Sequence, residues 1–407
     1  MKPQQFVGLD IGTSTVRCVI GTYDPNTSAM PSIIGHGHAV NQGMRRGAVV
    51  HIDDVAEAIS RAVLEAERIS GMNVDRATVN VNGSHVAGIN SEGVIAISAA
   101  NREITTEDRL RVEEAATIVK LPSNREIVQF FAKNYSLDGQ KNIKDPVGMN
   151  GVRLEVDAHI VTAATPNLRN LDMALEKAQI TPTHHTVSGL AAAEAVFSRQ
   201  QKEAGTALID IGAGTTNLIV FEDGEVQHIA VLPIGGQHIT NDLAIGLKTD
   251  LDVAEAVKIR AADLRSDTRK NSAVVKVGDK SHTFDYNEVS MIVEARVEEL
   301  FEYVDKELQK IKRAHKLPGG IVITGGTSNL PGIENVAREK LQLAARKGKL
   351  HNIGGLVDTV EDASYVTVVG LMLLDMLLLP SLPPNSVNRT SDNAKSFIKT
   401  VFNHIKP

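Results

Sequence analysis

Apolar positions recur along this chain in two rhythms, one of strands and one of helices. Residues 7–11 and 17–23 read as the two strands of a hairpin. Over 52–70, Val55, Ile59, Val63 and Ala66 form one helical stripe, with Asp53 or Asp54 as the expected N-cap. A strand over 77–82 follows. From Ser84 to about His159 the pattern describes a self-contained block: a strand at 93–98, a helix, and strands at 126–136 and 152–159. Its helix opens on Thr105-Thr106-Glu107-Asp108, a capping-box pattern. This block reads as an inserted α/β subdomain. The main fold is expected to resume with a strand at 158–163, a helix at 167–178 and an apolar helix at 187–193.

A second strand-turn-strand begins at Gly205. Pro233-Ile234-Gly235-Gly236 leads into a helix at 239–247 and a charged helix at 253–264. A β-rich stretch (273–284) precedes a long helix over 288–313, striped by Val289, Val293, Val297, Leu300, Val304, Leu308 and Ile311. A strand then ends in Gly325-Gly326, a place where a flat ring can approach the backbone. The apolar run 366–379 is too short to span a bilayer and contains Asp375, so it is expected as a buried helix. The stretch 380–393, rich in Pro, Ser and Asn, reads as a flexible linker. In the short helix expected after it, Phe397, Ile398, Val401, Phe402 and Ile405 share one face, ringed by Lys395, Lys399, His404 and Lys406. A long polar linker makes docking of this helix costly, and the pattern predicts a membrane-surface helix.

At 407 residues the chain is long enough for two or more packed domains. Its net charge of −6 argues against a nucleic-acid partner. With Cys18 the single cysteine there is no disulfide framework, and a reducing compartment is expected. Strand residues begin by Phe6, leaving no room for a signal peptide. Without Trp, the core must rest on Val, Ile, Leu and Ala.

The chemistry sits in a repeat. Residues 7–15 (Val-Gly-Leu-Asp-Ile-Gly-Thr-Ser-Thr) match 207–215 (Ala-Leu-Ile-Asp-Ile-Gly-Ala-Gly-Thr) in the same register. Each apolar strand delivers an Asp and then a Gly turn of small residues. Such a turn points successive N–H groups into one concavity, which suits phosphate oxygens. Thr13, Ser14, Thr215 and Thr216 add hydroxyl donors, and Asp10 and Asp210 offer hard oxygen charge for magnesium. No Gly-Lys-Ser/Thr stretch exists, which excludes a P-loop, and Gly212-Ala213-Gly214 lacks the third Gly of a dinucleotide fingerprint. His36 and His38, and the pair His184-His185, have no Cys or acidic partner at ligand spacing and are expected as surface loop histidines rather than metal ligands. Two phosphate turns, each opening its own lobe, predict a nucleotide clamped between them.

These residues resemble the actin/Hsp70/sugar-kinase ATPase superfamily. The matches are the phosphate turns (7–21 and 207–221), the connecting helices (187–197 and 364–379) and the adenosine turn (321–333). Within it the chain resembles the FtsA family of actin-like bacterial cell-division proteins. Three features carry this: the block following Val81-Asn82-Gly83-Ser84-His85, the stretch Gly235-Gly236-Gln237-His238-Ile239-Thr240-Asn241-Asp242-Leu243-Ala244, and the linker with its amphipathic tail.

The resemblance implies an α/β, two-lobed actin-like ATPase fold. Its parts would be a first-lobe base (1–83, with 160–204 and 366–380), the insert (84–159), a second-lobe base (205–228, with 313–365) and its smaller part (229–312). The linker (381–395) and membrane-targeting helix (396–407) complete the chain. It implies ATP and Mg2+, with Asp10 and Asp210 at the metal. Gly12, Thr13, Ser14, Thr15 and Arg17 would face the nucleotide from the first lobe. Gly212, Ala213, Gly214, Thr215, Thr216, Gly235 and Gly236 would face it from the second. Gly325, Gly326, Thr327 and Asn329 would line the adenine, with Glu255 and Lys258 as ribose or base contacts. It also implies filaments of this chain that anchor the C-terminal tail of FtsZ to the cytoplasmic face of the membrane at the septum. Arg296 is the expected charge partner of that tail, and other divisome proteins would meet the insert. The competing readings are a small-molecule kinase of the same superfamily and a chaperone.

Two departures bear on chemistry. Position 15, commonly Lys in this family, is Thr15, and Arg17 on the same strand face is the candidate replacement for its charge. Ser188 stands where hydrolysing relatives place an acidic or amide side chain, so slow turnover is expected.

Overall fold

The apolar strands at the N-terminus assemble the first lobe in the computed structural model, which describes residues 4–24, 30–98, 102–265 and 272–378. The expected linker and terminal helix, with Phe397, Ile398, Val401, Phe402 and Ile405, lie outside the described residues. Strands β1 (Gln4–Ile11), β2 (Thr15–Tyr23) and β3 (Ser32–Val40) pair antiparallel in sequence. The short pair β4 (Met44–Arg45) and β5 (Ala48–Val49) precedes helix α1 (Ile52–Ser70) and strand β6 (Arg76–Val81). Helix α1 keeps the expected bounds and buries the expected stripe, but its N-cap is His51. Asp53 and Asp54 lie in its first turn, where their charge meets the positive end of the helix.

The insert is a four-stranded sheet, ordered β7-β10-β8-β9, built from β7 (Ala87–Ala96), β8 (Arg125–Leu137), β9 (Gln140–Ile143) and β10 (Arg153–Ala164). Its helix α2 (Thr106–Thr117) carries the anticipated capping box: Thr105 accepts from the Asp108 N–H, and the Asp108 carboxylate accepts from the Thr105 N–H. The two strands expected at 152–159 and 158–163 are one. β10 stays paired with β7 to Thr162 and with β8 to Ala164, so the insert's sheet runs past the anticipated limit of 159.

The chain returns through α3 (Thr165–Lys177), β11 (Thr181–Val187), α4 (Ser188–Val196) and the short α5 (Arg199–Glu203). β11 has no counterpart among the strands expected from the sequence. It pairs parallel with β6 at the edge of the first sheet, whose order is β11-β6-β1-β2-β3 and then β19 (Gly354–Gly355), a short strand from late in the chain. This corrects the placement of both histidine pairs: His36 and His38 lie in β3, and His184 and His185 in β11. Burial pushes the His184 imidazole down to about 4, so it is neutral, and His185 meets Asp172 at 2.8 Å. Among the described residues, no group of three His, Cys, Asp or Glu side chains could hold a metal ion.

The second lobe repeats the plan. β12 (Thr206–Ile211), β13 (Thr216–Glu222) and β14 (Glu225–Leu232) pair antiparallel. Helices α6 (Gly236–Gly246) and α7 (Leu251–Arg260), the hairpin β15 (Ser272–Val277) and β16 (Lys280–Asp285), and the long α8 (Tyr286–Lys310) form its smaller part. The α8 stripe is buried from Val289 to Leu308, and Ile311 caps its C-terminus. β17 (Gly320–Thr324), α9 (Ile333–Leu341) and β18 (Ala345–Lys347) complete the sheet in the order β14-β13-β12-β17-β18. A boundary at 228 would cut β14, which is one strand of this sheet. Likewise β19 (Gly354–Gly355) pairs with β3 of the first lobe, because the chain crosses back before α10 (Val357–Val360) and α11 (Val366–Leu378).

Helix α11 is the expected buried helix. Its Asp375 carboxylate accepts from the Val7 N–H (3.0 Å) and the Thr78 (2.7 Å) and Thr183 (3.1 Å) hydroxyls, tying the helix to β1, β6 and β11. Opposite, α11 crosses α4 so closely that a Cβ at Gly370 would stand 1.7 Å from the Ala191 carbonyl oxygen. Cys18 is buried in the first-lobe core, and burial pushes its thiol up to about 12, so it is unreactive. No helix of the described residues is long and apolar enough to cross a membrane.

Candidate functional site

The repeated turns close in the same way. The Gly12 N–H donates to the Thr15 carbonyl (3.1 Å), and the Gly212 N–H to the Thr215 carbonyl (2.9 Å). Across each hairpin the Asp meets an equivalent partner position: Asp10 opposite Arg17, Asp210 opposite Asn217. The two turns face each other over an interlobe cleft of about 460 Å³. Gly214 marks their contact, for a Cβ there would come 2.8 Å from the Thr13 hydroxyl.

Both carboxylates are held by amides. Asn80 donates to Asp10 (2.7 Å) and to the Ser188 hydroxyl (3.2 Å), while its own oxygen accepts from the Ile11 N–H (2.7 Å). Asn217 (3.1 Å) and the Thr367 hydroxyl (3.3 Å) donate to Asp210. Burial pushes the Asp10 carboxyl up to about 7, opposed by Arg17 and reinforced by Asp210. Burial likewise raises Asp210 to about 6, offset by the Asn217, Thr367 and Thr324 hydrogen bonds. Two carboxylates whose ionisation is this costly, converging on one cleft, fit a cation that would neutralise them. Two acidic side chains with room for waters and phosphate oxygens match the habits of Mg2+ rather than of a metal needing an all-protein cage.

Around them, the first-lobe wall includes Gly12, Thr13, Ser14, Thr15 and Arg17, with Asn82 and Ser188. The Arg17 guanidinium lies 5.2 Å from the ring centroid of Tyr365, in cation–π range, and its Nε has no hydrogen-bond partner. From the second lobe come Gly212, Ala213, Thr215 and Gly236. Glu255 and Lys258 on α7 pair at 2.6 Å, and both bond the Thr240 hydroxyl, at 2.5 and 2.9 Å. Gly325 (φ 85°) must be glycine, since a Cβ would stand 2.5 Å from an Asp210 oxygen. Gly326, Thr327 and Asn329 follow in a short 3-10 helix on the same wall; Thr327 is bonded to the Gly212 carbonyl (3.0 Å) and Asn329 to Asp362 (2.8 Å).

Three anticipated residues stand off the cleft surface. Thr216 is fully buried, its hydroxyl spent on the Ile234 carbonyl (2.8 Å). Gly235 packs behind the turn, where a Cβ would meet the Gly212 carbonyl oxygen at 2.6 Å, and Gly214 is consumed by the contact with Thr13. Arg296, on α8, does not line the cleft; it is bonded to Asp242 (2.5 and 3.0 Å) and paired with Glu299. Among the residues not anticipated are Asn80, Asn82, Asn217, Asp362 and Thr367. A signal existed for the asparagines: each interrupts an otherwise apolar strand or ends it.

A family model described as "Cell division protein FtsA" matches residues 207–370, and one described as "SHS2 domain inserted in FTSA" matches 83–162. The chain is 34% identical to the cell division protein FtsA of Pseudomonas aeruginosa, covering 91% of this chain and 89% of the relative. It is 38% identical to that of Bacillus subtilis, covering 90% and 82%. Among solved structures it is similar to a PilM–PilN type IV pilus biogenesis complex (17% identity, TM-score 0.65, 91% of this chain and 98% of that one). It is similar also to MreB5 of Spiroplasma citri bound to ADP (12%, 0.54, 92% and 96%) and to the MamK double helical filament (14%, 0.52, 93% and 99%). These structural likenesses show the actin-like α/β fold. With sequence identity sustained over nine-tenths of the chain, it belongs to the FtsA family, the actin-like cell division proteins.

Proposed function

We propose that the interlobe cleft binds ATP with Mg2+ and that the chain works as a filament-forming adaptor, holding the C-terminal tail of FtsZ at the cytoplasmic face of the membrane during division. The observation that carries the nucleotide reading is the pair of identically closed turns facing one cleft, each with a buried carboxylate at its base. Their N–H groups and the Thr13, Ser14 and Thr215 hydroxyls would cradle phosphates, and the carboxylates would hold the ion's water shell. The ADP bound to MreB5 and the filament formed by MamK, both of this fold, support the reading.

Ser188 offers a hydroxyl in place of a water-activating carboxylate, so nucleotide would chiefly stabilise a closed, polymer-competent arrangement of the lobes. The smaller part of the second lobe would receive the acidic, apolar FtsZ tail. Arg296 could join it only by exchanging its Asp242 and Glu299 partners for the incoming carboxylates. The membrane contact would come from the terminal apolar face, and other division proteins would meet the insert. Family membership favours this adaptor over a small-molecule kinase.

Calorimetric titration with ATP and Mg2+ tests the site: Asp210→Ala and Gly326→Asp should each abolish measurable binding. Wild-type affinity in both variants would refute it. Vesicle pelleting of the full chain against one stopped near Asn385, with and without ATP, tests the anchor.

A further inference from the structure

The insert touches both lobes, and one of its two attachments begins at the cleft, with Asn82. On the first-lobe side the chain leaves β6 at Val81 and reaches β7 at Ala87 through Asn82-Gly83-Ser84-His85-Val86. Arg125 clamps this passage to the end of β10, where the chain leaves the insert, donating to the His85 carbonyl (2.9 Å) and to the Thr162 carbonyl (3.0 Å) and hydroxyl (2.9 Å). On the second-lobe side, His159 of β10 accepts the Ile229 N–H of β14 (3.0 Å). A change in the angle between the lobes must therefore strain or shift the insert.

Asn82 stands where that coupling meets the phosphate turns. It lines the cleft from the first lobe and donates its amide to the Thr215 hydroxyl oxygen of the second (3.0 Å). Its own oxygen accepts the Gly83 N–H (2.7 Å), which fixes the amide's orientation. Thr215 is almost fully buried, and with its oxygen accepting from Asn82 its proton is left to donate elsewhere. The cleft is the direction in which an acceptor would arrive.

We propose that Asn82 is an interlobe positioning residue: it orients the Thr215 hydroxyl toward a bound phosphate and, through the Gly83–His85 passage, transmits occupancy of the cleft to the inserted subdomain. A phosphate oxygen accepting from Thr215 polarises the hydroxyl and strengthens the Asn82 bond, so that ligand, lobe closure and insert position favour one another. The proposal rests on the nucleotide reading of the cleft.

The test uses the full chain, Mg2+-ATP titration, and amide hydrogen exchange of 87–96 and 153–164 at saturating ATP. Asn82→Asp keeps the acceptor for Gly83 but loses the donor; Asn82→Ala loses both; Thr215→Val removes the acceptor. ATP should slow exchange in these strands of the wild type. Each variant should bind ATP about two- to tenfold more weakly, the range expected for one hydrogen bond, and lose the ATP-dependent slowing even when saturated. Asn82→Ala with Thr215→Val should be no worse than the poorer single variant. Were Asn82 needed only to shape the Gly83 turn, Asn82→Asp would keep wild-type slowing, and that result overturns the proposal. Losses that multiply in the double variant overturn it too. A wild type that binds ATP with all variants unchanged sinks the latch alone; a wild type that binds no ATP sinks the nucleotide reading and the latch together.

Discussion

The imidazole of His159, in the insert, accepts the backbone N–H of Ile229, in the second lobe, at 3.0 Å. Its other nitrogen lies 2.9 Å from the Asn90 side-chain oxygen, so the neutral tautomer with the proton on Nδ1 satisfies both partners. Burial, with His228 and Lys133 nearby, pushes this imidazole down to about 3. A folded value below the unfolded one of about 6.5 gives stability that is full above pH 6.5 and lost as pH falls toward 3. His184 carries the same sign, with a folded value of about 4.

The melting temperature should therefore fall with acidification below pH 6.5, with His159 contributing up to ~1.4 kcal/mol per pH unit. His159→Gln, which can still accept from Ile229, should show a shallower slope between pH 6.5 and 4.5 than the wild type. Parallel slopes in a denaturant titration series would exclude His159 as the acid-sensitive joint.

Asp10 has the opposite sign. Its folded value of about 7 lies above the ordinary 3.8, so its contribution is present below 3.8 and lost as pH rises through 7. Asp10→Asn removes a buried charge while keeping an acceptor for Asn80. Without ligand it should melt several degrees above wild type at pH 8 and near it at pH 5, with no Mg2+-ATP response in the same thermal-shift plate. In the wild type, Mg2+-ATP affinity should climb from pH 5.5 to 7.5 and then level off, as ion binding requires the ionised carboxylates.

At the α4–α11 crossing a side chain has no room. Gly370→Ala should cost about 1–3 kcal/mol, read as a lower denaturant midpoint with an unchanged slope, because its Cβ would overlap the Ala191 carbonyl. An unchanged midpoint would mean that the two helices separate freely.

In the helix that the sequence predicts after the linker, Phe402 falls in the middle of the apolar stripe. Five such side chains, partly buried in a lipid surface, would contribute roughly 5–10 kcal/mol at 1.5–3 kcal/mol for each fully buried group, less the cost of ordering a short helix. The proposed anchor would then be reversible, and firm only where a filament presented many copies on one face. Phe402→Glu should abolish flotation with anionic vesicles and leave ATP binding intact; a variant that still floats would assign the tail another role.

Steady-state turnover should remain well below the ~10 s⁻¹ of a median enzyme, since Ser188 bonds Asn80 and no carboxylate takes its place. A rate near that median, lost in Asp210→Ala, would contradict the reading of nucleotide as mainly a conformational ligand.

What the amino-acid order determines by itself is whatever depends on neighbours a few positions apart. The stripes of α1 and α8, the Thr105–Asp108 capping box and the two Asp-Ile-Gly turns are all complete within short windows, and all are legible there. Tertiary structure decided the rest. Thr181–Val187 carries two adjacent histidines and no alternating apolar pattern, yet it is a strand because β6 offers a parallel edge to it. β10 runs on to Ala164 because β8 pairs with it to that residue, a partner some forty positions away. At the cleft, Thr215 and Thr216 are adjacent and chemically alike, yet Thr215, the last residue of the turn, lines the cleft while Thr216, the first of β13, spends its hydroxyl on the Ile234 carbonyl in the core. Asn80 and Asn82 acquire their roles only when hydrogen-bond partners from distant segments arrive at 2.7–3.2 Å, whereas Asn217 meets Asp210 across its own hairpin. Local patterns report the backbone hydrogen bonds of helices and turns; the partner of a buried side-chain amide is chosen by packing that brings distant segments together.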